Sequence, residues 1–380
     1  MAGGGRRLFL FLISCVCATV TSLPQPPLSS AQEVRVEKVN GVIVVHNPKN
    51  PKPPPGTPSR LVLAEDLVLG KDRHREDYWF SAVNSIAVDD LGDIFVMDPK
   101  DIRIRLFSPH GRLIRAFGRQ GQGPGEFGGP AIVGMTADGM LIVHDIHMRR
   151  FSFLSPEGET LREISDASFS FGNSRFDSRG FVYATSHKST DPHVTELVKL
   201  SPQVIPLATL AAIEQKIKPK TVDLFSDIFF FDVTRRDELV WMVSSKYELY
   251  LVGPEGKTVR RIVKDYDPPR FTEADRDAYL KRLTSRASPI RFDYEFPKVF
   301  PPVSGLLVDD ENRVYVRTWE KDKSGNIFFD VFAPEGRWMC RFSLPEMEYP
   351  AVCKKGKLYM TIQESEEGIP LVKRYALRWE

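Results

Sequence analysis

The chain has 380 residues, with 52 Lys and Arg against 50 Asp and Glu, giving a formal charge of +2. So even a balance supplies no basic face of the kind that nucleic-acid binding needs, and it argues against that class. The length allows either several domains or one large all-β domain.

Arg6 and Arg7 precede the apolar run LFLFLISCVCA, residues 8–18. The run is too short to cross a bilayer, and its order, charge and then apolar residues, is that of an export signal over residues 1–22. The mature protein is therefore expected outside the cytoplasm, whether periplasmic, anchored to an outer membrane or secreted. Leu12-Ile-Ser-Cys15 resembles a lipoprotein box with Cys15 as the lipidated residue, whereas Val16 to Ala18 or Val20 to Ser22 suits ordinary signal peptidase. A lipid on Cys15 is the one membrane attachment that the sequence implies. Cys340 and Cys353 survive either cut; they read as structural, paired or free, because no Cys-x-x-Cys or nearby His makes a zinc site of them.

Residues 23–60 read as a hairpin and a linker. Val34 to Val39 and Val42 to Val45 flank Asn40-Gly41, a pair suited to the positive-φ positions of a type I′ turn. The stretch NPKNPKPPPGTPS that follows is a stiff, proline-rich spacer. Next, Leu61 to Leu69 is a strand candidate with no partner nearby in the sequence.

An internal repeat organises everything that follows. Gly92-Asp-Ile-Phe-Val-Met-Asp98, an alternating apolar stretch through Ile104 and Leu106, and Ser108-Pro-His-Gly111 form one unit. It returns without a gap as Gly139 to Asp145, Phe151, Phe153 and Ser155-Pro-Glu-Gly158, and again as Leu239 to Val243, Leu249, Leu251 and Gly253-Pro-Glu-Gly256. Val314 to Val316 leads to Ala333-Pro-Glu-Gly336 with a few extra residues. A degraded copy runs from Phe181 to Pro202, and a truncated one from Lys357 to Tyr375. Short β-branched and aromatic runs separated by Asp, Asn and Gly clusters are strands, and Pro-x-Gly between them is a tight turn. Units of about 40 to 50 residues with several such strands match a four-stranded propeller blade.

The expected fold is therefore all-β: a six-bladed β-propeller of four-stranded blades over residues 61–380. The last unit ends after its third strand, so Leu61 to Leu69 should supply its outer strand and close the ring. One insertion, about residues 268–303, interrupts the repeat. Thr272-Glu-Ala-Asp275 has capping-box spacing, and Tyr279, Leu280 and Leu283 form an apolar stripe, so a short helix is expected there. The aromatic and proline-rich FPKVFPPV, residues 296–303, follows it. Such an insertion belongs on one face of the disc, over the channel or beside it.

The pattern Asp89-x-x-Gly92-x-Ile94-Phe95-Val96-x-Asp98, Arg103, Pro109 to Gly111 and Phe117-Gly-Arg-Gln-Gly-Gln-Gly-Pro-Gly-Glu-Phe127 resembles the NHL-type repeat of bacterial exported six-bladed propellers. The resemblance spans residues 61–380, although Ser186 and Val243 stand where the first two units have Asp98 and Asp145. It implies the fold more than a reaction.

Functional expectations follow from the repeat and the resemblance. The run FGRQGQGPGEFGGP, residues 117–130, is an interblade connection, and it places Arg119, Gln122, Glu126 and Phe127 near one face. With Phe296 and Phe300 of the insertion, these are the candidate binding residues, and the expected ligand is a protein, peptide or glycan held without a cofactor. Arg103 and Arg150 are expected to pair with Asp98 and Asp145 or with backbone carbonyls. His144, Asp145 and His147 form the one local cluster with metal-capable side chains, but the repeat accounts for the Asp as a turn former, and no metal site is assigned. Some related propellers are metal-dependent lactonases or lyases with the site in the channel, which is the alternative reading. No His recurs at an equivalent position in a second unit, so none of their catalytic residues carries over to a numbered position.

Overall fold

A computed structural model describes residues 33–380 apart from 73–74, 76–77, 166–170, 189, 191, 217, 219, 285–292 and 366. The export signal and Cys15 lie outside the described residues. Six blades stand radially around a central channel, four of them antiparallel sheets of four consecutive strands running from the axis outward. Blade 1 consists of Ser85–Val88, Ile94–Asp98, Arg103–Phe107 and Leu113–Phe117. Blades 2 to 6 cover residues 130–165, 171–215, 229–264, 303–344 and 348–379. No helix among the described residues is long and apolar enough to cross a membrane.

The continuous apolar runs of the repeat follow from this arrangement. Successive side chains of a strand point to opposite faces of its sheet, and in a propeller both faces are covered. Ile94 and Val96 accordingly enter the core shared with blade 6, while Phe95 and Met97 enter the core shared with blade 2. The same partition produces one apolar core at each of the six blade boundaries.

Ring closure follows the sequence expectation. Leu61–Leu69 pairs antiparallel with Leu371–Trp379, from Leu61 opposite Trp379 to Leu69 opposite Val372. The hairpin also forms, as Arg35–Val39 and Val42–Asn47, with Asn40 at φ 50° and Gly41 at φ 86°. It is not a separate appendage, however. Its second strand pairs parallel with Thr258–Lys264, the outer strand of blade 4, which thereby becomes a six-stranded sheet. Buried Asn47 then pins the linker to blade 5: its Nδ2 donates to the Gly336 carbonyl at 3.0 Å, and its Oδ1 accepts the Trp338 N–H at 2.8 Å.

In the insertion the helix spans Glu273–Thr284. Asp275 takes the place of Glu in the capping box: its Oδ2 accepts the Thr272 N–H at 2.9 Å, and its own N–H donates to Thr272 Oγ1 at 3.2 Å.

Blades 4 and 5 also share a buried polar knot. The carboxylate of fully buried Asp330 lies 3.5 Å from Lys264 Nζ and 2.9 Å from Arg341 Nε, and it accepts hydrogen bonds from Tyr247 OH at 2.6 Å and Trp338 Nε1 at 3.0 Å. Burial alone would raise its pKa, but Lys264, Arg341 and the hydrogen bonds outweigh that, and the carboxyl titrates below its ordinary range. Asp330→Asn should therefore cost about 3–5 kcal/mol at neutral pH, because two cations lose their buried counter-ion. Since the folded pKa is the lower one, this stabilisation is complete above the unfolded value of about 3.9 and disappears as pH falls through the folded value. Urea midpoints of parent and variant should converge under acid conditions; a constant gap would contradict this account.

Cys340 and Cys353 are both free and both buried, in the core between blades 5 and 6. Burial pushes the Cys340 thiol up to about 12 and raises Cys353 further. Native protein should accordingly show no fast reaction with a thiol reagent, and two equivalents of these thiols should react once it is unfolded.

Candidate functional site

Because the strands of each blade alternate in direction, the turns fall on two faces. The turns between first and second strands, and between third and fourth, share one face. Around the channel there, neighbouring blades are tied turn to turn. Ser178 N–H and Oγ both donate to Asp237 at 2.8 Å, Arg235 N–H to Asn312 Oδ1 at 2.8 Å, and Lys355 N–H to Asp310 Oδ2 at 2.8 Å. Lys354 Nζ reaches the Val88 carbonyl at 2.9 Å and Asp90 at 2.8 Å, and Arg235 lies 3.9 Å from Asp90 across the axis.

The described interblade connections and the described part of the insertion lie on the other face. The connection at residues 117–130 is folded against itself. Arg119 Nε donates to Glu126 Oε1 at 2.8 Å, and Glu126 Oε2 accepts the Gly123 N–H at 2.9 Å. These contacts, the Gly123 N–H first, hold the Glu126 carboxyl below its usual range. Arg150 gathers three carbonyls of the same loop, those of Gln122 at 3.0 Å, Gly123 at 3.1 Å and Glu126 at 2.7 Å. A Cβ at Gly121 would lie 2.1 Å from Glu126 Oε2, and one at Gly129 would lie 2.7 Å from His147 Nδ1, so close packing accounts for both glycines.

The repeat aspartate has a visible purpose. Asp145 accepts the N–H groups of Gly128 at 2.6 Å, Gly129 at 3.0 Å and Met148 at 2.9 Å. Asp98 does the same for Ser81 at 2.7 Å and Ala82 at 3.1 Å, and for two amides of its own turn. Each carboxylate thus staples an incoming connection to the turn of the blade it enters. In blade 4, where Val243 stands at that position, Ser244 Oγ accepts the Ile228 N–H at 3.1 Å instead.

Several sequence expectations change on this geometry. Arg150 binds carbonyls as expected, but Arg103 is exposed, and the contact with Asp98 comes from Arg105, at 3.4 Å. Phe127 is fully buried between blades 1 and 2, and Phe300 is buried beneath the insertion, so neither side chain is available to a ligand. Phe296 is half-buried and stacked on Phe271, with centroids 5.4 Å apart. Arg119 and Gln122 do face solvent. His144 is buried and stacked on Phe151, whereas His147 contacts the Gly128 carbonyl, so the two do not converge.

What the insertion builds is an aromatic anchor. Phe225, from the connection between blades 3 and 4, touches Phe271, Tyr279, Phe300 and Trp319 with centroids 5.2 to 5.6 Å apart. Phe300 stacks on Trp319 at 5.0 Å. Beside this anchor opens the channel, a cavity of about 560 Å³ lined by the innermost strands of all six blades. Its polar groups mostly join neighbouring blades: Arg175 Nε donates to Asp232 Oδ1 at 3.3 Å, Val308 N–H to Asp232 Oδ2 at 2.9 Å, and Asn84 Nδ2 to the Pro130 carbonyl at 3.2 Å. The described residues contain no group of three His, Cys, Asp or Glu placed to hold a metal ion.

No family model and no curated protein matches the sequence. Among solved structures the chain is similar to a Bacteroides fragilis protein provisionally described as exported, at 12% identity over 89% of this chain and 99% of that one, with a TM-score of 0.53. A virginiamycin B lyase from Staphylococcus aureus aligns at 10% identity over 84% and 100%, with a TM-score of 0.44. A gluconolactonase from Xanthomonas campestris aligns at 12% identity over 79% and 87%, also with a TM-score of 0.44. Likeness at such identities establishes the propeller fold alone.

The staple can be tested directly. Asp145→Ala leaves the Gly128 and Gly129 amides without their acceptor and should cost about 1–3 kcal/mol. Hydrogen exchange should rise first in residues 118–129; unchanged protection there would show that Arg150 alone holds the loop.

Proposed function

We propose that this protein is an exported, non-catalytic binding or scaffold module of the NHL type, and that it holds a protein, peptide or glycan on the face carrying the interblade connections. Export rests on the charged and apolar order of residues 1–22. The observation that carries the binding reading is a set of half-exposed apolar side chains gathered on the loop face, two of them at the channel. Trp79, Ile146, Ile228, Val299 and Tyr349, each 40 to 50% exposed, all belong to connections, turns or strand starts on the loop face, and Ile146 and Tyr349 line the channel. The opposite face also exposes Leu91 and Ile205, but around the channel its turns are joined to one another by ion pairs and hydrogen bonds. Apolar and aromatic side chains on a well-anchored platform supply contact area at low ordering cost.

The lactonase or lyase reading needs carboxylates or histidines that converge in the channel. Asp232 is already engaged by Arg175 and the Val308 amide, and Asp309 by Arg313 and Tyr315. The described residues therefore do not fit a channel metal, and no reaction is assigned.

Immobilised mature protein should retain its partner from the envelope fraction of the source cells. A variant carrying Trp79→Ser, Ile146→Lys and Ile228→Glu should retain about tenfold less with an unchanged melt, because no core side chain is altered. Leu91→Glu, on the opposite face, should retain as much as the parent. Equal retention by the rim variant would overturn the reading.

A further inference from the structure

Arg317, in the second strand of blade 5, Val314–Lys321, is 2% exposed. Nη1 donates to Ser304 Oγ at 2.8 Å and Nη2 to the main-chain oxygen of Glu346 at 2.6 Å, while Nε is buried with no acceptor. No carboxylate among the described residues lies within ion-pairing distance of it. The other three buried arginines each have one: Arg105 meets Asp101 at 2.7 Å, Arg313 meets Asp309 at 2.7 Å and Arg374 meets Asp66 at 2.7 Å. Glu346 does not serve Arg317 in this way, because its carboxylate lies 2.8 Å from Lys321 and 3.9 Å from Arg282.

Burial lowers the pKa of Arg317, but a guanidinium stays protonated, so its desolvation is left without a compensating charge. A second donor is in the same condition. Trp319 lies two residues on, on the same face of the strand, and its Nε1 is buried without an acceptor. The Arg317 guanidinium is 5.9 Å from the Trp319 ring and 4.8 Å from the Tyr349 ring. Tyr349 is 40% exposed and lines the channel, so the guanidinium lies against a channel-lining ring without itself reaching the channel.

We propose that this corner is a carboxylate subsite of the loop-face binding surface, and that it takes the C-terminal carboxylate of a peptide ending in an apolar or aromatic residue. Tyr349 swings towards the channel, the carboxylate accepts from Arg317 and from Trp319 Nε1, and the last side chain of the peptide lies against the aromatic wall. An apolar terminus is favoured over an acidic sugar because the wall offers few groups for sugar hydroxyls. The Ser304 hydroxyl, for instance, already donates to the Thr318 carbonyl at 2.8 Å.

This assignment rests on the loop face being the binding surface, and its test uses defined probes so that the two can fail separately. N-acetyl-L-phenylalanine should raise the melting temperature of the mature protein, and N-acetyl-L-phenylalaninamide should not. Arg317→Met should lose the response while melting no lower than the parent, since it removes an uncompensated charge. Glu346→Gln should keep the response. Should Arg317→Met not fold, Trp319→Phe still decides, with affinity for the acid reduced about tenfold by loss of one charged hydrogen bond. Equal effects of acid and amide, or a response that survives both Arg317→Met and Trp319→Phe, would overturn the subsite. A larger response to glucuronate than to the amino acid would overturn the peptide assignment. Failure here together with a clear effect of the rim substitutions would remove the subsite and leave the loop face standing.

Discussion

Every blade of this molecule packs apolar residues on both faces, and that one constraint requires a ring. A blade whose two faces must both be covered needs a neighbour on each side, and a finite row of such blades would leave an apolar face bare at each end. Closing the row removes both bare faces, and the final junction must itself be held. Here the holding strand is Leu61–Leu69, paired with Leu371–Trp379 at the far end of the chain. The last blade cannot be completed until almost the whole chain exists. Such non-local pairing is slow, and it leaves the apolar faces uncovered until late.

The N-terminal segment reinforces the same junction from outside. Its hairpin extends blade 4, its linker is pinned to blade 5 through Asn47, and its strand completes blade 6. Half of the ring is thus spanned by residues that precede the first repeat. The described chain enters the folded disc at the outer rim of blade 4.

How much of this was legible in the sequence depended on whether the signal was periodic. The blades, the closing strand, the Asn40-Gly41 turn and the Thr272 cap all follow from spacing, because strand alternation and turn chemistry act over a few residues. The docking of the hairpin had no such signal: Asn47 meets Val263, 216 positions away, and nothing local to either marks the other. In loops, period-2 logic fails altogether. Phe127 and Phe300 therefore looked like surface aromatics within glycine- and proline-rich runs, yet they are interior side chains that anchor those runs. Arg103 and Arg105 share a strand face, so the repeat could not tell which would reach Asp98. The exposed rim was invisible for a related reason, since its members come from different blades and meet only in the folded ring.

The two faces differ in how polar groups are compensated, and this difference gives Arg317 its weight. On the closed face, and in the Asp330 knot, buried or bridging charges have opposite charges beside them. Beneath the insertion, ring contacts carry most of the packing and Arg317 has no carboxylate beside it; its Nε and the Trp319 Nε1 lack acceptors, as do the Trp241 Nε1 and the Nε atoms of Arg105, Arg150 and Arg260 elsewhere. Leaving such donors unsatisfied is unfavourable in a finished interior, where replacing Arg317 and Trp319 by apolar residues would cost little packing. It becomes favourable only if an acceptor arrives from outside, because a donor already desolvated and held in place by aromatic neighbours loses little more on binding. The arrangement is therefore better explained by a ligand than by the stability of the disc, and the rings around it determine what that ligand can be.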